Sequence, residues 1–391
     1  MRFSGVATTL KKTPLFDWHV ARNAQMVPFA GWSMPLQYKG MGQVEAHHHV
    51  RNQAGLFDVS HMQQIVIRQP KQSHFMHSIL PLSYAQPTNT SAYSVILNET
   101  GGIIDDCIAT KWSDDSYYLV TNASRADAVR EWLQRHQHKY QENTDTAVDI
   151  SYLETHNQAL LALQGPQAAA VLASHSETSL TSLFFGGVAQ DLRLSGGAVV
   201  HLARSGYTGE DGFEISVERR DAVAVADLLA NTTPTVPIGL GARDSLRLEA
   251  GMCLYGNDLW EDGLSVGEAG LAWTIAKDRR VKDQPTLFPG WQSVVPSLKL
   301  SAMAKRRVGL LIEKGPAARS AAKILDETEN VIGSVSSGAP SPTLSQNIAM
   351  GYVPPQSAKV GTQLAVDVRG RRRQAEVVKM PFVESKYYRG I

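Results

Sequence analysis

A region of alternating strands and helices followed by a small antiparallel β-barrel is the fold that this 391-residue sequence predicts. Two observations carry that prediction. Up to about residue 290, short apolar, β-branched runs alternate with helical stretches, and no P-loop or complete GxGxxG fingerprint interrupts them. From Arg306 onward the texture changes. Val308–Ile312, Ile324–Leu325, Val331–Val335, Ala349–Val353, Leu364–Val368 and Ala375–Met380 are separated by Gly, Pro and Ser, the pattern of short strands in a closed antiparallel sheet. The division expected is residues 1–290 and 300–391, with the Pro-containing stretch from Asp283 to Pro296 as linker.

Composition bounds the function. With 43% hydrophobic and 19% charged residues and a formal net charge of +1, the chain reads as a globular protein with no general polyanion-binding character, so nucleic acid is not an expected partner. Cys107 and Cys253 cannot build a disulfide framework or a four-thiolate zinc site, which points to a reducing compartment. No apolar run approaches the ~18 residues of a membrane span, and Met1–Ala7 lacks a secretory core. A cytoplasmic protein is expected, or a processed organellar one.

The elements follow in order. Thr13-Pro14-Leu15-Phe16, Phe29-Ala30-Gly31-Trp32 and Met34-Pro35-Leu36-Gln37-Tyr38 punctuate the first 42 residues. Gly42 to Arg51 reads as a helix carrying His47, His48 and His49. Three adjacent histidines point around a helix, and HExxH is absent, so a solvated or hydrogen-bonded face is expected there instead of a metal site. Gly55 to Met62 passes through a turn and a strand. Its neighbours Ser60 and His61 face opposite ways and make no triad. Ser116 to Thr121 reads as a strand. Ser124 is expected to cap a helix from Arg125 to about Tyr140 with Ala128, Trp132 and Leu133 as its apolar stripe. Strands follow at Val148–Leu153 and Ala159–Leu163, and Gly165-Pro166 opens a short helix.

Three stretches carry candidate chemistry. Tyr93–Leu97 and Cys107–Thr110 flank Asn98-Glu99-Thr100-Gly101-Gly102, a hairpin whose second strand begins Ile103-Ile104-Asp105-Asp106. Strand alternation places Asp105 with Ile103 and Cys107, and Asp106 with Ile104 and Ile108. A carboxylate among such neighbours must find a partner or shift its pKa, unless both merely serve the turn. The second stretch is Gly206-Tyr207-Thr208-Gly209-Glu210-Asp211-Gly212, a folded loop leading into a strand where Glu214 stands between Phe213 and Ile215. Glu214 is either a binding carboxylate or a residue on a solvated face. The third is Gly239 to Gly251, a packed helix in which Arg243 can reach a carboxylate or polarised carbonyl, or simply join helical ion pairs with Arg247 and Glu249.

Together these stretches resemble the aminomethyltransferase, or T-protein, family of the glycine cleavage system. The resemblance runs collinearly through Phe29-Ala30-Gly31-Trp32, Leu56 to Met62, Gly101 to Asp106, Gly206 to Glu210 with Glu214, Gly241 to Gly251, Leu254-Tyr255-Gly256, Trp273-Thr274, Ser336-Ser337-Gly338, Pro340 to Leu344 and Pro381-Phe382-Val383. It implies an α+β, three-domain cloverleaf: two interleaved ferredoxin-like domains and a C-terminal antiparallel β-barrel around a central folate pocket. It implies transfer of the methylene carbon of an aminomethyl group on lipoylated H-protein to tetrahydrofolate, a co-substrate. The products are ammonia, 5,10-methylenetetrahydrofolate and dihydrolipoyl H-protein, with a functional link to the glycine decarboxylase and dihydrolipoyl dehydrogenase components. By the same resemblance Asp105 is the catalytic carboxylate, Glu214 takes the pterin edge, and Arg243 binds substrate. Tyr207 and Tyr387 line the pocket, Met62, Tyr93 and Leu97 form its apolar wall, and no metal is required. The location implied is bacterial cytoplasm, or mitochondrial matrix for a processed eukaryotic chain.

Departures and alternatives stand beside this. Gly267 occupies a position where the family usually has proline and is expected to loosen its loop, and Cys107 replaces an aliphatic residue. A folate-dependent demethylase would share the pocket. A folate-binding factor of iron–sulfur assembly would carry a Cys in the loop that here holds Tyr207, and a folate-linked amine oxidase would need a flavin domain. Lys277 to Lys282, Arg306-Arg307 and Arg371-Arg372-Arg373 are basic clusters that could steer an acidic carrier, or ordinary solvated faces.

Overall fold

The computed structural model describes residues 9–153 and 157–390; Met1–Ala7, read above for a secretory core, lie outside the described residues. The first part is built on two sheets. One has five antiparallel strands in the order Thr90–Leu97, Ile103–Ser113, Ser116–Thr121, Gln63–Arg68, Asp149–Leu153. The other has six: Val188–Arg193, Val199–Ala203, Gly212–Glu218, Gln158–Gln164, Ala54–Asp58 and Thr235–Ile238, with only the last pair parallel. The chain lays down Ala54–Asp58, leaves to build the whole five-stranded sheet, and returns at Gln158, so the two units are interleaved.

Period-2 alternation gives each sheet two apolar faces. On the five-stranded sheet Ile65, Ile67, Cys107, Ala109, Tyr117 and Leu119 pack against the helices Phe75–Ile79 and Ala126–Thr144. On the six-stranded sheet Leu161, Leu163, Phe213, Ile215 and Val217 pack against Ala168–Ala173 and Arg219–Ala230. The opposite faces meet each other: Val66, Tyr118 and Val120 from one sheet against Phe57, Leu160 and Ala162 from the other. Polar side chains on those inner faces are therefore enclosed between two sheets.

The C-terminal part is a closed six-stranded barrel, ordered Arg306–Ile312, Gln346–Val353, Val331–Ser341, Lys323–Leu325, Gln363–Val368, Arg371–Val378, around Leu310, Ile324, Val335, Val366 and Val377. It docks by hydroxyls of Ser336, Ser337, Ser341 and Thr343 that bond to buried ion pairs at the helix Leu240–Glu249. Glu249 receives Arg51 at 2.7 Å, Ser341 Oγ at 2.5 Å and Thr343 Oγ1 at 2.8 Å. Arg247 meets Asp258 at 2.7 Å, and Asp258 accepts the hydroxyls of Ser336 and Ser337. Gly239 opens this helix because a Cβ there would stand 2.2 Å from the Leu36 carbonyl oxygen.

Several local expectations are corrected. Ser124 lies in a 3-10 turn, Ala123–Arg125, makes no capping hydrogen bond, and shifts the helix start to Ala126. The buried stripe accordingly includes Val129 in place of Ala128. The presumed linker is packed: Trp291–Ser297 is helical, Phe288 and Val294 join a core with Leu97 and Ile103, and Gly290 lies against Gly101. At Gly267 a Cβ would come 2.4 Å from the Ser297 carbonyl oxygen, and Ser265 and Glu268 on either side of it exchange hydrogen bonds at 3.0 and 3.2 Å. Of the basic clusters, Arg279 is fully buried and binds the carbonyls of Leu80, Leu82 and His77, while Arg307 binds those of Ala269 and Gly251. The two are structural cations.

Candidate active site between the sheets

The Asp hairpin turns at Gly101, whose φ of +88° a side chain would strain, and Gly102 fits where a Cβ would stand 2.2 Å from the Glu261 carbonyl oxygen. Pairing then slips by one residue. Leu97 opposes Ile103, but Ile96 opposes Asp105, leaving Ile104 as a bulge. The bulge reverses the expected faces. Ile103 packs with Val95 and Leu97, whereas Ile104 and Cys107 join the core beneath the helices. Asp105, in step with Cys107, is completely buried and accepts the Asn122 backbone N–H at 2.9 Å and its Nδ2 at 2.8 Å. Asp106, opposite Val95 and in step with Ile108, points to the inner side. There it accepts the Tyr93 hydroxyl at 3.0 Å and Asn122 Nδ2 at 2.9 Å. Asp105 is thus not the carboxylate that faces the site; Asp106 is.

Burial, and then the charge of its neighbour, raises Asp105 well above the usual carboxylate range, and burial pushes Asp106 up to about 6. The adjacent carboxylates titrate as a pair, with Asn122 Nδ2 bridging them. Tyr93 continues outward, stacked at 5.4 Å on Trp273, which is 63% exposed.

Across the gap stands Glu214, opposite Ala162 and Ala203 on the inner face of the six-stranded sheet. One oxygen accepts Ser205 Oγ at 2.9 Å, while the other accepts nothing among the described residues. Burial raises its pKa, opposed by Ser205 and by the charge of Arg243. Arg243, on the second turn of Leu240–Glu249, lies with its guanidinium 4.7 Å from the Tyr207 ring centroid. It makes no ion pair or side-chain hydrogen bond among the described residues. The loop bearing Tyr207 is held by close approach: a Cβ on Gly206 would stand 1.9 Å from Gln164 Oε1. The Tyr207 hydroxyl donates to the Cys253 carbonyl, and burial raises its pKa beyond the phenol range. Glu214, Arg243, Tyr207, Tyr93 and Asp106 each keep part of their surface open, so the inner side of the two sheets presents a recess carrying an unpaired cation and two carboxylates.

The remaining candidates fall around this recess. Met62 packs beside Ile108 at the inter-sheet core, and Leu97 lies buried with Ile103 and Cys253. Tyr387 stacks on Phe185 at 4.0 Å, in the C-terminal tail that crosses the Gly206 loop where Lys386 N–H donates to the Gly209 carbonyl. Arg389 lies beside the Tyr387 ring, and the charges of Arg51 and Glu210 act on its hydroxyl. Of the three histidines, His47 binds Ser245 and Thr343, and His49 binds the Pro234 carbonyl. Sequence reasoning missed Asn122, which closes the strand Ser116–Thr121 and gives no signal of its own, and it dismissed His61.

Comparison with known proteins agrees with this architecture. Residues 15–279 match the family described as GCVT N-terminal domain, and residues 305–384 match the glycine cleavage T-protein C-terminal barrel domain. The chain is 44% identical over 398 aligned positions to the mitochondrial aminomethyltransferase of Saccharomyces cerevisiae, covering 99% of this chain and 98% of that protein. It is 43% identical to the mitochondrial aminomethyltransferase of Homo sapiens, covering 97% and 91% respectively. A crystal structure of glycine cleavage system aminomethyltransferase T from Bartonella henselae superposes with a TM-score of 0.87 at 38% identity, covering 97% of this chain and all of that one. The chain belongs to the aminomethyltransferase, or T-protein, family of the glycine cleavage system.

Proposed function

We propose that the recess binds tetrahydrofolate by its pterin edge and passes it the one-carbon unit of an aminomethyl group carried on a lipoylated H-protein, with release of ammonia. The observation that carries this reading is the pair of uncommitted charges. Glu214 keeps one free oxygen for the adjacent N–H donors of a pterin, and Arg243 keeps a free guanidinium for a carbonyl or carboxylate. Asp106 lies on the opposite wall. Carbon–sulfur cleavage and ammonia loss develop positive charge on the transferred carbon, and an ionised, enclosed carboxylate stabilises that charge. Tyr93 and Asn122 fix the orientation of Asp106, so little reorganisation is needed when the charge appears. The residues named from the sequence keep their proposed roles in binding: Glu214, Arg243, Tyr207, Tyr93, Met62, Leu97 and, at the tail, Tyr387.

The carrier brings functional coupling to the glycine decarboxylase and dihydrolipoyl dehydrogenase components. The mitochondrial names of the relatives favour the matrix over the bacterial cytoplasm as the location, and no helix among the described residues is long and apolar enough to cross a membrane. The test is ammonia release from aminomethylated H-protein, measured with and without tetrahydrofolate. Folate-dependent release, lost on Asp106→Asn, supports the proposal; release that ignores folate removes it.

A further inference from the structure

His61 sits in the turn Val59–Met62 that carries the chain from one sheet to the other, closed by Met62 N–H donating to the Val59 carbonyl at 3.0 Å. It is 4% exposed, with its ring edge-on to Phe29 at 5.6 Å. The other buried imidazoles among the described residues each use at least one nitrogen: His77 binds the Ser83 carbonyl and His201 accepts Trp112 Nε1–H, although both leave Nδ1 without a partner. His19 binds Asp58 through one nitrogen and Tyr38 through the other, and His47 binds Ser245 and Thr343. His61 has no hydrogen bond at either nitrogen among the described residues, and its Nδ1 is sealed from water. Leaving such a group unpaired costs free energy that a core position would have no reason to retain.

The surroundings say which nitrogen carries the proton. A sealed nitrogen without a partner is better left as a lone pair than as an orphaned N–H, so the proton belongs on Nε2. Burial, and next the charge of Arg243, hold the His61 pKa down at about 4, so the ring is neutral near pH 7. The result is a neutral N–H donor in the neighbourhood of the uncommitted guanidinium of Arg243. A pterin whose 2-amino and N3–H groups face Glu214 has its C4 carbonyl next along the same edge, an acceptor that needs donors.

We propose that His61 is a ligand-contacting residue of the site, whose Nε2–H donates to the C4 carbonyl oxygen of the bound pterin. This rests on the folate reading above. It makes His61 a discriminator of the 4-oxo group, since a 4-amino group in that position is a donor and cannot accept from the imidazole.

The test is a cycle of two proteins and two ligands by anaerobic calorimetry: wild type and His61→Phe, each with tetrahydrofolate and with its 4-amino-4-deoxy counterpart. His61→Phe is expected to weaken tetrahydrofolate about fivefold to tenfold, the scale of one neutral hydrogen bond, and to leave the 4-amino ligand unweakened. His61→Gln, which keeps an N–H, recovers part of the loss. Equal losses on both ligands, or no loss on either, overturn the assignment. If His61→Phe does not fold, His61→Leu takes its place in the same cycle. A folded wild type that binds neither ligand overturns the folate reading itself, an outcome distinct from the failure of His61 alone.

Discussion

At the residue scale the Asp pair divides its labour by one bulged residue. Asp106→Asn is expected to keep the fold and most folate affinity while losing roughly 100-fold or more in turnover, the scale of one electrostatic contribution. Asp105→Asn, altering a carboxylate that serves Asn122, is expected to lose less than about tenfold. Steady-state kinetics on the two variants decides between the faces. Catalysis needs Asp106 ionised, so turnover is expected to rise with pH through about 6 and then level, a limb that disappears in Asp106→Asn. Stability runs the other way. A carboxyl whose folded pKa is raised contributes stability below its unfolded value and loses it as pH rises through about 6. Asp106→Asn is therefore expected to be more stable than wild type at pH 8, by about 1–2 kcal/mol in denaturant melts. Glu214→Ala is expected to weaken folate binding by about 1.5–3 kcal/mol, measured by calorimetry. Unchanged affinity in the folded variant would return Glu214 to a structural role.

At the scale of the element, legibility followed periodicity. The barrel strands declare themselves because apolar alternation and Gly or Pro breaks are local properties, and six apolar segments found six strands. The face of Glu214 was legible for the same reason, because strict alternation turns it away from Phe213, Ile215 and Val217. The face of Asp105 was not, because a bulge is fixed by pairing with Thr90–Leu97 and by the fit of Gly102 under Glu261, neither of which the strand's own residues encode. Arg279 and Arg307 misled for a related reason: charge is visible in sequence, but the carbonyls that bury it come from distant segments. The hairpin gives a test of its own. Gly102→Ala must displace the Glu261 carbonyl or the turn, and is expected to cost roughly 2–4 kcal/mol of stability in denaturant melts and to lower turnover with it.

At the scale of the whole molecule, Glu249 ties helix, barrel and tail together, receiving Arg51, Ser341 and Thr343 through its side chain and the N–H of Phe382 through its carbonyl. Despite burial, hydrogen bonds from His47, Ser341 and Thr343 hold its carboxyl down at about 2. A depressed carboxylate gives stability that is full above its unfolded pKa and lost as pH falls toward 2, so the barrel and the sheets are expected to part together on acidification. Glu249→Gln should remove that step and cost about 1–3 kcal/mol near neutrality, because Arg51 loses one of its two buried carboxylates and keeps only Glu210 at 2.9 Å. Interleaving has a consequence for synthesis. The strand Ala54–Asp58 has as its two neighbours Gln158–Gln164 and Thr235–Ile238, so it leaves the ribosome long before either exists. The five-stranded unit, complete by residue 153, can close first and hold Phe57 against its inner face while translation continues. The order of birth along this chain is therefore not its order of assembly: the earliest strand of the six-stranded sheet waits for the last.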